Sequence, residues 1–188
     1  LPDDVDVVVE PERRNTFPAI VLAASYLESR KQMNPEETVI VLPVDPYVDV
    51  AYFETFKKMD EQVQKSSADI VLMGIMPSYP SEKYGYIIPA EGGRVIGFKE
   101  KPDEASAKKL IEQGALWNAG VFAFKLKYLM GIANKHLNSR DFADVVECYA
   151  SLKKDSFDYE VVERTKALAV VPYNGAWKDI GTWNTLTE

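Results

Sequence analysis

The sequence predicts an α/β fold, with a mixed, mostly parallel sheet that has helices on both faces and a β-hairpin insertion. Short apolar runs alternate with segments whose apolar residues recur at helical spacing, which is typical of strands joined by helical crossovers. Two further β-like runs, at residues 84–88 and 94–99, flank a glycine-rich turn, which is typical of an antiparallel hairpin. With 46% hydrophobic residues in a chain of 188, residues 1–188 are expected to form a single domain.

Composition limits the possible functions. The net charge of −7 leaves no basic field for nucleic acid or for an anionic membrane, and no apolar run approaches the ~18 residues of a membrane span. A single cysteine, Cys148, and a single histidine, His136, exclude an internal disulfide and a Cys/His metal site. We expect Cys148 to be a small buried hydrophobe. Residues 1–4 lack the order of a signal peptide, so a cytoplasmic location is expected.

Each element of the first half follows from a local pattern. A β-branched run predicts a strand at residues 5–9, and Asn15 or Thr16 can cap a helix at 17–30. Wholly apolar runs predict strands buried on both faces at 39–42 and 70–75. Between them lies a predicted helix whose core face carries Val50, Phe53, Phe56, Met59 and Val63.

The second half begins with the hairpin, which makes the sheet mixed. A helix at residues 103–113 should end at Gly114, which is well placed as a left-handed terminator. The remaining predicted elements are a strand at 121–124, helices at 126–136, 142–152 and 156–164, a strand at 167–171, and a turn followed by a helix from 177 to 188.

Two acidic residues stand at the ends of β-like runs. Asp45 lies just past the carboxyl end of the strand at residues 39–42, where open α/β sheets bind ligands. Asp179 follows another short β-like run and could reach the same crevice. Two converging carboxylates suit Mg²⁺, which is typically held by one or two carboxylates and by substrate phosphate oxygens. The alternative for Asp45 is a helix N-cap or a solvated loop acid.

Seven segments follow one another along almost the whole chain. They are residues 9–16 (VEPERRNT), 41–45 (VLPVD), 84–87 (YGYI), 98–102 (FKEKP), 117–122 (WNAGVF), 157–163 (FDYEVVE) and 177–183 (WKDIGTW). In order and approximate spacing they resemble the sugar-phosphate nucleotidyltransferases, and among them the mannose-1-phosphate guanylyltransferases. The first segment points to the guanylyl branch more than to uridylyl or thymidylyl enzymes.

The resemblance implies a Rossmann-like fold and an activity. The implied reaction transfers a guanylyl group from GTP to mannose 1-phosphate, so the implied partners are GTP and a sugar 1-phosphate, with Mg²⁺ as cofactor. In the matching positions, Asp45 and Asp179 look like the Mg²⁺ ligands, and Lys101 looks like the cation that meets the sugar phosphate. The other implied contacts are Glu100, Asn118 and Asp158 with sugar hydroxyls, the backbone amide of Gly85 with the sugar, and Arg14, Asn15 and Thr16 with the nucleotide.

Some of these residues have a structural alternative. Lys101 could be an edge-strand charge, and Asn118 could serve turn chemistry. Asp158 could be an acid in the first turn of a helix, favoured by the helix dipole. Trp177 and Trp183 are expected in the core rather than as stacking platforms.

Two departures from the family's pattern bear on function. Pro46 stands where the family usually has a histidine, and no Gly-x-Gly stretch is present to cradle nucleotide phosphates. We therefore expect a partial catalytic domain that lacks the N-terminal strands and the signature loop, and that is inactive by itself. The alternatives are an enzyme with another base or sugar, and a non-catalytic homologue that senses sugar nucleotides.

The expected loss of strands has a consequence for the sheet. Without its neighbours, the strand at residues 39–42 would present a bare backbone edge. We expect either that residues 5–9 pair parallel with this strand, or that another copy of the chain covers the edge and makes a homo-oligomer.

Overall fold

The computed structural model describes residues 5–180, which form two compact units. A helical unit comprises Leu1–Glu37 and Lys125–Val161, and a sheet unit comprises Thr38–Phe124 and Val162–Glu188. In chain order the helices are α1 (Thr16–Ser29), α2 (Val50–Lys65), α3 (Glu104–Glu112), α4 (Leu126–Leu137), α5 (Phe142–Glu147) and α6 (Phe157–Glu160). The strands are β1 (Thr38–Val41), β2 (Pro46–Val48), β3 (Ile70–Ile75), β4 (Tyr86–Pro89), β5 (Val95–Lys99), β6 (Leu116–Lys125), β7 (Leu168–Tyr173) and β8 (Trp177–Asp179).

The helical unit is built around α1, which packs against α4, α5 and α6. Its N-terminus forms where expected, because the Oδ1 atom of Asn15 accepts a hydrogen bond of 2.8 Å from the N–H of Thr16. Phe17, Val21 and Leu22 on the inner face of α1 are buried. The predicted helix at residues 17–30 is confirmed.

The main sheet of the sheet unit has the strand order β5-β4-β6-β3-β7, and β1 also pairs with β6. The strands β3 and β7 are parallel, whereas β6 runs antiparallel to both β3 and β4, and β5 runs antiparallel to β4. In direction, β3, β4 and β7 run one way and β5 and β6 the other, so the α/β class and the mixed sheet are as predicted. Among these neighbouring pairs the antiparallel ones are the more numerous, because β6 opposes both of its neighbours on this path.

Most predicted elements of the sheet unit are present. The predicted hairpin is formed by β4 and β5, and Gly92 and Gly93 in its turn have φ angles of 72° and 74°. Helix α3 is capped by Asp103, and Gly114 follows it with φ 79°. Short strands β2 and β8 form a separate two-stranded ribbon.

The inner face of α2 differs from the predicted one. Met59 and Val63 are buried as expected, but Val50 is 76% exposed and Phe53 is 54% exposed, whereas Tyr52 and Thr55 are buried instead. The predicted spacing was helical, and the face is decided by where the helix meets β3 and β7, which sequence periodicity alone leaves open. With β3, β6 and β7, helices α2 and α3 enclose one apolar cluster.

Residues 5–9 form no strand, so this prediction is wrong. Val5, Val7 and Val9 are exposed, and the proposed pairing of residues 5–9 with residues 39–42 does not occur. A β-branched run has a strand propensity, but a strand forms only where a neighbour supplies hydrogen bonds. Within the described residues β1 pairs with β6 alone, and its residues are half-buried rather than buried on both faces. Coverage of this edge by a second copy stays a prediction.

The later segments show three more differences. The predicted helices at 142–152 and 156–164 are shorter, with α5 and α6 each followed by a 3₁₀ turn. The segment 177–179 is the strand β8 rather than a turn, and the helix predicted after it, with Trp183, lies outside the described residues. Cys148 is exposed, not buried, because α5 turns Val145 and Tyr149 inward instead. Across residues 5–180 no helix has both the length and the apolar character needed to cross a membrane.

Candidate active site

The ribbon of β2 and β8 brings the two predicted metal ligands close in the backbone. Pro46 is the register partner of Asp179, and Asp45 directly precedes Pro46. The two acids therefore belong to adjacent positions of neighbouring strands, although they are 134 residues apart in sequence. Their carboxylate oxygens are the donors that Mg²⁺ takes, and a pair of them leaves coordination positions for phosphate oxygens. Between residues 5 and 180 there is no group of three or more Asp, Glu, His or Cys residues that could hold a metal by itself.

The ribbon is anchored by Asp49, a residue that the sequence reasoning did not select. The Tyr173 hydroxyl donates to Oδ1 of Asp49 at 2.8 Å, and the N–H of Ala176 donates to Oδ2 at 3.1 Å. The hydrogen bond from Tyr173, followed by that from Ala176, lowers the pKa of Asp49. Asp49 thus ties the connection between β7 and β8 to the start of α2. Its position directly before a helix was the available signal, but the distant partners were not readable.

Three of the predicted sugar-binding residues meet at the start of β4. The N–H of Asn118 donates to the carbonyl of Gly85 at 2.8 Å. A Cβ atom on residue 85 would lie 2.5 Å from Oε2 of Glu100 and 3.4 Å from Cβ of Asn118, so only glycine fits between them. Oδ1 of Asn118 accepts from the N–H of Gly120 at 3.1 Å, which holds the amide in one orientation. Gly85, Glu100 and Asn118 therefore form one group, which we call the Gly85 cluster.

Lys101 lies beside this cluster on a strained turn. Its φ of 43° is in the left-handed region, which is uncommon for a residue other than glycine. Its ammonium Nζ lies 3.3 Å from Oε1 of Glu100, whose side chain is almost buried. The charge of Lys101 is therefore presented next to the Gly85 cluster, with its own side chain half-exposed.

Tyr84 connects the Gly85 cluster with the ribbon. Its ring lies 5.5 Å from the ring of Trp177 in β8 and 5.0 Å from the ring of Trp117 in β6, measured between ring centroids. Burial raises the pKa of Tyr84, and the charges of Tyr79 and Asp179 raise it further. Tyr84 is therefore within electrostatic reach of Asp179 while its chain neighbour Gly85 contacts Glu100 and Asn118. The packing of Trp177 on Tyr84 agrees with the expected core role.

The remaining predicted residues lie in the helical unit and have structural contacts there. The Arg14 guanidinium donates to the carbonyl of Leu152 at 2.8 and 3.2 Å. Asn15 caps α1, and the Thr16 hydroxyl accepts from the N–H of Phe157 at 2.9 Å. Asp158 lies in the first turn of α6, where the helix dipole favours an acid. Their contacts with a nucleotide or a sugar stay predictions.

Comparison with known proteins decides the family. A model of the nucleotidyl transferase family matches residues 3–188. The chain belongs to the nucleotidyl transferase family. Nucleotidyl transferases and related proteins similar to it include the alginate biosynthesis protein AlgA of Pseudomonas putida, 30% identical over 206 aligned positions, and the mannose-1-phosphate guanylyltransferase RfbM of Salmonella typhimurium, 31% identical over 207. Each alignment covers 97% of this chain but only 42% and 43% of those relatives, so the chain spans less than half of their length.

A solved structure shows the same fold. The crystal structure titled as a mannose-1-phosphate geranyltransferase from Thermus thermophilus superposes with a TM-score of 0.84 at 34% sequence identity. It covers 98% of this chain, which in turn covers 57% of that structure's chain. The nucleotidyl transferase fold predicted from the seven segments is confirmed.

Proposed function

We propose that the intact protein transfers a guanylyl group from GTP to mannose 1-phosphate, with GDP-mannose and pyrophosphate as products. The observation that carries the proposal is the Gly85 cluster with Lys101 beside it. A neutral amide, a carboxylate and an ammonium group lie around a glycine that leaves room for a ligand. Such a combination suits a sugar, whose hydroxyls need acceptors and donors, together with its phosphate. The likeness to RfbM supports the choice of base and sugar.

In the proposed reaction a phosphate oxygen of mannose 1-phosphate attacks the α-phosphorus of GTP in line. The new oxygen–phosphorus bond forms as the bond to the bridging oxygen of the β-phosphate breaks, and pyrophosphate leaves with that electron pair. The protein's task is to hold two anions together and to neutralise their charge. Lys101 would hold the sugar phosphate, while Glu100 and Asn118 would orient the sugar hydroxyls and Gly85 would offer its amide N–H.

Mg²⁺ is the proposed cofactor. Asp45 and Asp179 would hold it, and when bound it would neutralise phosphate charge between the two substrates. Arg14, Asn15 and Thr16 are proposed to border the nucleotide, and Asp158 is proposed to meet the sugar. GTP and mannose 1-phosphate are accordingly the proposed partners.

The test is pyrophosphate release by the full-length protein with Mg²⁺. Four nucleoside triphosphates are each combined with mannose 1-phosphate, glucose 1-phosphate and no sugar phosphate. We expect GTP with mannose 1-phosphate to have the highest kcat/KM by at least about tenfold. An equal or higher value for another pair would refute the assignment of base or sugar while leaving nucleotidyl transfer in place.

A second candidate is a non-catalytic homologue that senses sugar nucleotides, favoured by the lack of a Gly-x-Gly stretch in the 188 residues. Such a protein would bind GDP-mannose in calorimetry but would release no pyrophosphate with any substrate pair. The same panel therefore separates the two candidates, because turnover excludes the sensor.

A further inference from the structure

We propose that Glu163 is a positioning residue that holds the turn of Glu100, Lys101 and Pro102 in shape. We call this segment the Lys101 turn, and the inference rests on the proposed function of Lys101. Glu163 was part of a family-like segment, but nothing in the sequence assigned it a task. Its contact lies entirely within the sheet unit.

The contact is a hydrogen bond from the main chain of the turn. The N–H of Glu100 donates to Oε1 of Glu163 at 3.0 Å, across 63 residues of sequence. The last register pair of the hairpin joins Tyr86 and Lys99, so Glu100 lies one residue past the ladder between β4 and β5. A 3₁₀ turn at Val162–Arg164 delivers the carboxylate to the place where the ladder hydrogen bonds stop. Glu163 thus continues the support of β5 by one residue.

The need for such support comes from the residue that follows. Lys101 has φ of 43°, a conformation that persists in a residue with a side chain only where the surroundings hold it. On one side Pro102 is buried and has a fixed φ of its own. On the other side the hydrogen bond from Glu100 to Glu163 fixes the peptide that leads into Lys101. The ammonium group that would meet the sugar phosphate is therefore aimed by a carboxylate that need not touch the substrate.

The chemistry of the contact separates positioning from acid–base work. An amide N–H requires an acceptor oxygen at the right distance, and the side-chain oxygen of glutamine can supply it as well as a carboxylate can. A proton-transfer role would be lost with glutamine. Shortening the side chain by one methylene keeps the charge but withdraws the oxygen. Glu163→Gln should therefore retain function, whereas Glu163→Asp and Glu163→Ala should not.

The kinetic test uses the full-length protein and the sugar-phosphate reaction. For Glu163→Ala and Glu163→Asp we expect the KM for the sugar phosphate to rise about tenfold and kcat to fall severalfold, with an unchanged KM for the nucleotide. Glu163→Gln should stay within about threefold of wild type in every constant. The matched control is Glu112→Ala, at an exposed position of α3. Equal constants for Glu163→Ala and wild type would overturn the positioning role, as would a loss in Glu163→Gln as large as that in Glu163→Ala.

A second measurement does not depend on turnover. Amide hydrogen exchange of Glu100 in the full-length protein should be about tenfold faster in Glu163→Ala and Glu163→Asp, and unchanged in Glu163→Gln and in Glu112→Ala. Unchanged exchange in Glu163→Ala would overturn the contact itself. If the wild type releases no pyrophosphate, the proposed function fails, and the exchange of Glu100 still decides whether Glu163 holds the Lys101 turn.

Discussion

At the scale of single residues, Asp45 and Lys101 are expected to act on different parts of the same reaction. Asp45 stands on the rim of the ribbon beside the partner of Asp179, where it would position a cation. Lys101 stands beside the Gly85 cluster, where it would bind a phosphate that is present in the ground state as well as in the transition state. Substitutions at the two positions should therefore leave different kinetic signatures.

Replacing Asp45 by asparagine should lower kcat of the full-length protein by roughly 10² or more, because it removes fixed charge that holds the ion. Folding should change little, since Asp45 is exposed. Steady-state kinetics with Mg²⁺ measure the effect, and Asp60→Asn on the exposed side of α2 is the control. A kcat within threefold of wild type would contradict the assigned role.

Replacing Lys101 by alanine should raise the KM for sugar phosphate and also slow the reaction. The reason is that the phosphate loses a cation in both the ground state and the transition state. Kinetics at varied sugar phosphate and saturating nucleotide give both constants. If the KM is normal in this variant, the role moves to Lys99.

Two buried tyrosines offer a contrast in stability. Tyr52 is 1% exposed and its hydroxyl has no hydrogen-bond partner among residues 5–180, whereas the Tyr173 hydroxyl donates to Asp49. Tyr52→Phe removes an unsatisfied polar group, so it should leave the free energy of unfolding unchanged or raise it by up to about 1 kcal/mol. Tyr173→Phe loses a hydrogen bond and should lower it by about 1 kcal/mol. Urea unfolding compares the pair, and the reverse order of stabilities would show that the two environments are misassigned.

At the scale of elements, the ribbon of β2 and β8 depends on its anchor. Two strands of three residues are too short to be stable alone, so the ribbon's position must come from contacts beyond its own ladder. Asp49 supplies them, because it binds Tyr173 and Ala176 at the approach to β8. Asp179 is thereby carried into register with Pro46.

The anchor predicts a pH dependence of stability. Hydrogen bonds lower the pKa of Asp49 in the folded protein below its ordinary value of 3.8. A lowered folded pKa means that the stabilisation is complete above about pH 4 and is lost as the pH falls through the folded value. Asp49→Asn should therefore have a lower unfolding midpoint than wild type at pH 6, and the gap should shrink below pH 4. Urea unfolding from pH 3 to pH 7 measures it, and a gap that stays constant with pH would mean that the carboxylate's charge is not involved.

At the scale of the whole chain, the balance of charge sets the expectation for ligand binding. The 188 residues carry a net charge of −7 and no Gly-x-Gly stretch that could wrap phosphates with backbone N–H groups. The chain by itself should therefore neither bind GTP tightly nor turn it over. Calorimetry of the 188-residue chain with GTP and Mg²⁺ should show no binding in the micromolar range. Micromolar binding would mean that the described residues already hold the phosphates.

Much of the fold was readable from local pattern. Helices α1, α2 and α3 and strand β3 lie where spacing and capping residues placed them, and the hairpin turn lies at its two glycines. The grouping of Gly85, Glu100 and Asn118 agrees with the order of the family-like segments. Local pattern failed at residues 5–9, where strand propensity met no partner strand, and on α2, where the buried face turned toward Tyr52.

By itself, the sequence determined the α/β class, the family and the residue types of the candidate site, because these depend on short segments whose chemistry is local. Only the tertiary structure decided which side chains hold those segments in place. Asp49 meets Tyr173 across 124 residues, and Glu163 meets Glu100 across 63. A hydrogen bond between distant residues needs both partners to be brought within about 3 Å by the packing of whole elements, and no pattern along the chain records that distance.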